Sequence, residues 1–291
     1  MIRNILTCLD TTATYMVDNR SLLLYRDAYT EEGGLDIDIP NCFTSLEQAS
    51  NAANFLYNAY TRLMQLESGV SEVAPRHERL LVTGRLSLSR LVENWKTALD
   101  SFMRHSSPEV IRNEMAAINT LKVQMMGVSV LIQAHNQPDQ TLWDRLTPQF
   151  QEIVSLASTV ISASAPALPG RRPTPTFSFD TGIVAPLFLV GFKCYNRRIR
   201  RQAIALLFAA SRQEGIWNSL IVARVVQRVL EIEEEGCDYL GEYEVLPTWA
   251  RLTTLGTQMD RGGRGYFLQY RRTNGSPLDP LNKIVEECME W

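Results

Sequence analysis

From Ser45 to Glu235 apolar residues return every three or four positions, the spacing that gathers one face of an α-helix, and beyond Gly236 that period changes. Ser45 and Gln48 have the capping-box spacing, and Leu46, Ala49, Ala53, Leu56, Tyr60 and Leu63 after them predict a helix. The next helix begins near His77 and carries Leu81, Gly84, Leu88, Leu91, Trp95, Leu99 and Phe102, a stripe whose aromatic end suits a core or a pocket wall. Ser107-Pro108 combines a capping hydroxyl with a proline at the first helical position, and Met115, Ile118, Leu121, Met125, Val128 and Ile132 extend that helix to His135. Thr147-Pro148 repeats the signal and opens a helix through Phe150, Ile153, Val154, Ala157 and Val160.

Pro166, Pro169, Pro173 and Pro175 make residues 166–176 an extended connection. After it, Asp180 suits the N-cap of an apolar helix over Ile183 to Phe192, and Asn196 suits the cap of a helix from Arg197 to Phe208. A long helix is predicted from Trp217 to Glu235, stopping at Gly236. Leu252 to Arg272 reads as a β-hairpin turning at Arg261-Gly262-Gly263-Arg264, and Asp279-Pro280 as the start of a final helix ending at Trp291. Ahead of Ser45, a short helix and a second one from Asn19 or Ser21 to Tyr29 are expected, stopped by Gly33-Gly34. The resulting fold class is all-α: one domain over 1–291, a multi-helix bundle or solenoid-like array with a small C-terminal β-hairpin.

Composition narrows the function classes. A chain of 291 residues with 45% hydrophobic content buries a sizeable core. A formal charge of -3 gives no general attraction to nucleic acid, so no direct DNA binding is expected. The five cysteines, Cys8, Cys42, Cys194, Cys237 and Cys288, are odd in number and far apart, without zinc-ligand spacing or a disulfide framework. Reduced thiols and an intracellular setting, nuclear or cytoplasmic, are the expectation. The opening residues break their apolar run at Asn4 and Thr7, unlike a signal peptide, and Pro186 and Gly191 interrupt the apolar run from Ile183 to Phe192, which is too short to span a bilayer. No membrane partner follows.

The order Asp180, Gly182, Pro186, Lys193-Cys194, Ile199-Arg200-Arg201, Arg212, Glu214-Gly215, Trp217 resembles a segment of the regulatory, or effector, domain of fungal binuclear zinc-cluster transcription factors. There the segment reads Gly-x-x-Pro-Pro at its start, Lys-Cys-Arg-Asp-Pro-x-Ile-Arg-Arg at its turn and Arg-Arg-Glu-Gly-Leu-Trp at its close. Residues 177–235 carry the likeness, with Ala185 in place of the first proline and Tyr195-Asn196-Arg197 in place of Arg-Asp-Pro. The resemblance implies a helical domain that senses a small molecule or a partner and controls an attached activator. The family's compact six-cysteine cluster has no counterpart among the cysteines here.

No stretch specifies a reaction. HExxH, GxSxG and phosphate-loop patterns are missing, His77, His105 and His135 stand far apart, and Asp36 and Asp38 lack the remaining ligands of a calcium loop. No metal and no cofactor are therefore expected. The arginines at 197, 198, 200 and 201 suit phosphate, a nuclear import signal or pairing with the acidic run from Glu231 to Glu235, and the acidic chain favours pairing. For ligand binding the candidates are Trp95, His135, Asp180, Lys193 and Glu214, aromatic and charged groups on different helices that would have to converge on one cavity. Capping and ion pairing by Asp180, Arg212 and Glu214 is the structural alternative. Two functions stay open: a regulator-like effector domain in a fungal secondary-metabolite pathway, acting through an apolar small molecule, a protein partner or a homodimer, and a repurposed enzyme or carrier holding an apolar natural product in a helical pocket.

Overall fold

The computed structural model describes residues 35, 37–68, 75–134, 141–164, 176–178, 182–215, 217–259, 265–273, 278 and 283–290. In chain order the helices are α1 (Leu46–Ser68), α2 (Pro75–His105), α3 (Pro108–Ala134), α4 (Leu142–Arg145), α5 (Thr147–Ala163), α6 (Val184–Lys193), α7 (Arg197–Ala210) and α8 (Ser219–Glu234). Short strands β1 (Thr176–Ser178), β2 (Arg212–Glu214) and β3 (Trp217–Asn218) bind the middle of the chain, and β4 (Leu252–Met259), β5 (Gly265–Arg272) and β6 (Val285–Glu290) form a second sheet. The fold is helical with a small antiparallel C-terminal sheet, the class read from the sequence. The two N-terminal helices expected before Ser45, and the proline-rich connection as far as Pro175, lie outside the described residues.

Local chemistry explains most helix starts. Ser45 Oγ accepts from Gln48 N at 3.2 Å, and Gln48 Oε1 accepts from Thr44 N at 2.8 Å, one residue earlier than an ideal capping box. Ser107 Oγ accepts from Val110 N at 3.3 Å, and Asn196 Oδ1 from Ile199 N at 3.1 Å. At α5 the helix includes Thr147 itself, whose hydroxyl donates to the Asp144 carbonyl at 2.6 Å, so the threonine ties α5 to α4 and does not act as a cap.

Helix α3 is the wall on which the molecule is built. One of its faces, with Ile118, Leu121, Met125 and Val128, packs with Leu56 of α1 and Trp95 and Leu99 of α2. Val123 and Val130 enter a second core with Phe150 and Ile153 of α5, Val190 of α6, Ile199 of α7 and Val226 of α8. Burial on two sides requires a helix apolar over much of its circumference, and α3 is long and apolar enough to cross a membrane by length and composition. Half of its apolar window is buried inside the protein, in contacts with α1, α2, α5 and α6, as a core helix requires.

The C-terminal sheet leans on α8 through Val225, Val229, Ile232, Leu252 and Leu268. Two expectations are corrected in this half. The long helix starts at Ser219 and not at Trp217, because Asn218 Oδ1 accepts from Leu220 N and Ile221 N, both at 3.1 Å, while Trp217 and Asn218 pair with β2. Val285–Glu290 is a strand and not part of a helix to Trp291. It closes the open edge of β5, and alternate residues face α8: Met289 packs on the core, and the Glu287 carboxylate takes Arg228 Nε at 2.7 Å.

Candidate functional site

Among the described residues, polar groups meet buried or cleft surface at several places. The first lies where α6 begins. This helix starts at Val184, with Ile183 as its N-cap and no capping side chain of its own, so its first amides need an acceptor from elsewhere. Glu214 at the end of β2 supplies it, accepting from Gly182 N at 3.0 Å, Ile183 N at 3.2 Å and Val184 N at 2.9 Å. Asp180, expected as the cap of this helix, lies outside the described residues; the N-cap position itself falls at Ile183. Pairing of β2 with β1 and β3 holds the carboxylate there, and a Cβ on Gly182 would come within 2.5 Å of Glu214 Oε1. Burial raises the Glu214 pKa, opposed by the three amides and by Arg212 Nη1 at 3.5 Å. Glu214 and Arg212 also border an open cleft of about 560 Å3 between β2, α1 and α3, with Asn54, Glu114 and Gln124 on its other walls.

A second cleft, of about 240 Å3, opens between α2, α3 and α5. Trp95, Leu99, Met125 and Met126 form its apolar floor, and Lys96, Asp100, Lys122, Ser129, Gln149 and Glu152 line it with polar and charged groups. Trp95 is fully buried and its indole N–H donates to the Ala49 carbonyl at 2.8 Å.

The third is a buried ion cluster joining α6, α7 and α8 to the sheet. Arg200 and Glu233 are both fully buried, 2.5 Å apart through Nη2 and Oε2, a close ionic contact without the alignment of a good hydrogen bond. Arg200 Nε donates to the Gly191 carbonyl at 2.8 Å, and Glu233 Oε1 accepts from Leu252 N at 2.6 Å. Beside them Arg251 lies 4.0 Å from the Tyr195 ring centroid and donates to Asp144 at 2.9 Å. Lys193 Nζ is 3.9 Å from the Phe192 ring centroid and 5.6 Å from that of Trp143. Burial brings its pKa down to about 8, against the opposing pull of Glu233. Burial pushes the Cys194 thiol up to about 11 and raises the Tyr195 hydroxyl as well, so neither ionises near neutral pH.

The arginine run is absorbed by the acidic end of α8, as its charge pattern suggested. Arg197 Nε and Arg201 Nη2 both meet Glu234 at 2.6 Å, and Arg200 takes Glu233. Arg198 is exposed and lies over Tyr243.

Of the five candidate ligand residues, Trp95 lines the α2–α3–α5 cleft, Glu214 the β2 cleft, and Lys193 the edge of the ion cluster, while His135 and Asp180 are outside the described residues. Gln149, Met125, Asp144 and Arg251 escaped sequence reasoning. Nothing in a lone glutamine, methionine or arginine marks it as part of a cleft or cluster until distant helices meet. Among the described residues, no group of three or more histidine, cysteine or acidic side chains is placed to hold a metal ion.

Fold and clefts together define a helical array with open clefts among the described residues. Over 119 residues the chain is 29% identical to the aspercryptin biosynthesis cluster-specific transcription regulator atnN of Emericella nidulans. The similar stretch is 40% of this chain and 18% of that protein, so the chain spans less than a fifth of the relative's length. No family model and no solved structure matches the chain.

Proposed function

We propose that this chain is a transcription-regulator-like effector domain serving a fungal secondary-metabolite pathway, responding to a small molecule or a protein partner, with DNA contact supplied by another module. The observation that carries the reading is the local similarity to a biosynthesis cluster-specific transcription regulator. The helical array and the open clefts support it, as does the engagement of Arg197, Arg200 and Arg201 by glutamates. Trp95, His135, Asp180, Lys193 and Glu214 are the proposed ligand contacts. Of those among the described residues, Trp95 and Glu214 line a cleft.

The test has two arms. Fused to a heterologous DNA-binding module in a filamentous fungus, the chain is expected to change a reporter several-fold relative to the module alone. Deleting the gene in its own host is expected to alter the transcripts of a biosynthetic gene set. A silent fusion, together with unchanged transcripts and the loss of a single metabolic step, overturns this function in favour of a pathway enzyme.

A further inference from the structure

The cleft between β2, α1 and α3 carries charges of opposite sign on separate walls and pairs neither with the other. On the β2 side stands Arg212, with its side chain 19% exposed and its one ionic contact among the described residues made to Glu214 at 3.5 Å. That carboxylate is already taken by the amides of Gly182, Ile183 and Val184. Among the described residues the Arg212 guanidinium donates no hydrogen bond. A fork of N–H donors held largely out of water and left unspent is costly, and a carboxylate satisfies it bidentately. Glu47 of α1 and Glu114 of α3 line the other walls, both exposed and neither ion-paired among the described residues. Leu46 and Ala117 add apolar surface that stays open to solvent. A simple carboxylate would be drawn to Arg212 and repelled by the two glutamates, and a simple amine the reverse.

We propose that this cleft binds a zwitterion, an α-amino acid with a large apolar side chain, its carboxylate on Arg212 and its ammonium toward Glu47 and Glu114. A volume of about 560 Å3 lies within the roughly 300–1,000 Å3 of small-molecule sites, with room for such a side chain against Leu46 and Ala117. Selection comes from the two charged walls together, because a molecule lacking either group leaves one wall uncompensated and still meets the repulsion of the other. The inference deepens the effector reading by naming the class of signal, and depends on it only for the biological consequence.

Three probes that share one ring and differ in charge test it: L-phenylalanine, phenethylamine, which lacks the carboxylate, and 3-phenylpropanoate, which lacks the ammonium. Each is titrated by calorimetry into the purified full chain. Phenylalanine is expected to bind saturably, with phenethylamine about tenfold weaker or more, since the Arg212 contact lies largely out of water. For 3-phenylpropanoate the expected loss is about twofold to fivefold, since Glu47 and Glu114 are exposed. Arg212→Gln is expected to erase the preference for phenylalanine over phenethylamine, and Glu47→Gln with Glu114→Gln the preference over 3-phenylpropanoate. Thermal melting reports whether each variant folds, and Arg212→Lys, which keeps the charge and loses the fork, is expected to shrink the first preference if Arg212→Gln does not fold. No saturable binding of phenylalanine, equal or tighter binding of either analogue, or preferences that survive in the variants overturn the site. A silent reporter fusion leaves a positive titration standing, and a failed titration leaves an active fusion standing, so the two proposals fail separately.

Discussion

Glu214 shows how much one carboxylate can do once the chain has folded around it. It takes three amides at the start of an apolar helix that brings no cap of its own. Glu214→Ala leaves all three amides without their acceptor at once and is expected to lower stability by about 2 kcal/mol, read from denaturant unfolding with an unchanged m-value. Lys193 gives the complementary case of a charge held against aromatic rings, with its pKa brought down to about 8. Between about pH 8 and 10.5 the unfolded chain holds a proton on this lysine that the folded chain has lost, so its contribution to stability rises with pH across that window. Unfolding curves collected from pH 7 to 10.5 should show the rise in the wild type and a flatter profile in Lys193→Met. Both residues were named from the sequence as polar groups beside apolar ones. Their partners were not, since Glu214 meets Gly182 from 32 positions away and Lys193 meets Trp143 from an earlier helix.

At the scale of elements, helices were readable wherever a start signal and an apolar period coincided, as at Ser45, Ser107 and Asn196. Errors fell where a tertiary partner decided. Trp217 extends the apolar pattern of α8 backwards, yet β2 claims it and Asn218 caps the helix. Its indole is half-buried against Phe188, with ring centroids 5.5 Å apart, so Trp217→Ala is expected to cost about 2 kcal/mol, below the roughly 3–5 kcal/mol of a fully buried indole. The joint between α7, α8 and β4 is more sensitive. Glu233→Ala leaves Arg200 buried and unpaired and the Leu252 amide without its acceptor, and a loss of about 3–5 kcal/mol is expected in equilibrium unfolding. Hydrogen exchange at the Leu252 amide should quicken with it, because that hydrogen bond anchors the sheet to α8.

For the whole molecule, the placement of charge bears on function more than its total does. Arg197, Arg200 and Arg201 are tied to Glu233 and Glu234, so the purified chain is expected to give no salt-resistant, sequence-selective shift of DNA. Elemental analysis after purification without chelators should likewise find zinc well below one atom per chain, given five scattered cysteines and three distant histidines. The sequence by itself determined the helical class, most helix starts, the hairpin and the pairing of basic with acidic runs, because each rests on residues a few positions apart or on charge along one face. Only the tertiary structure decided that α3 divides two cores, that β6 is a strand, that Glu214 caps α6, and that Trp95, Met125 and Gln149 share a cleft. Those outcomes depend on surfaces brought together from distant parts of the chain, and periodicity reports which face of an element is buried without saying what buries it.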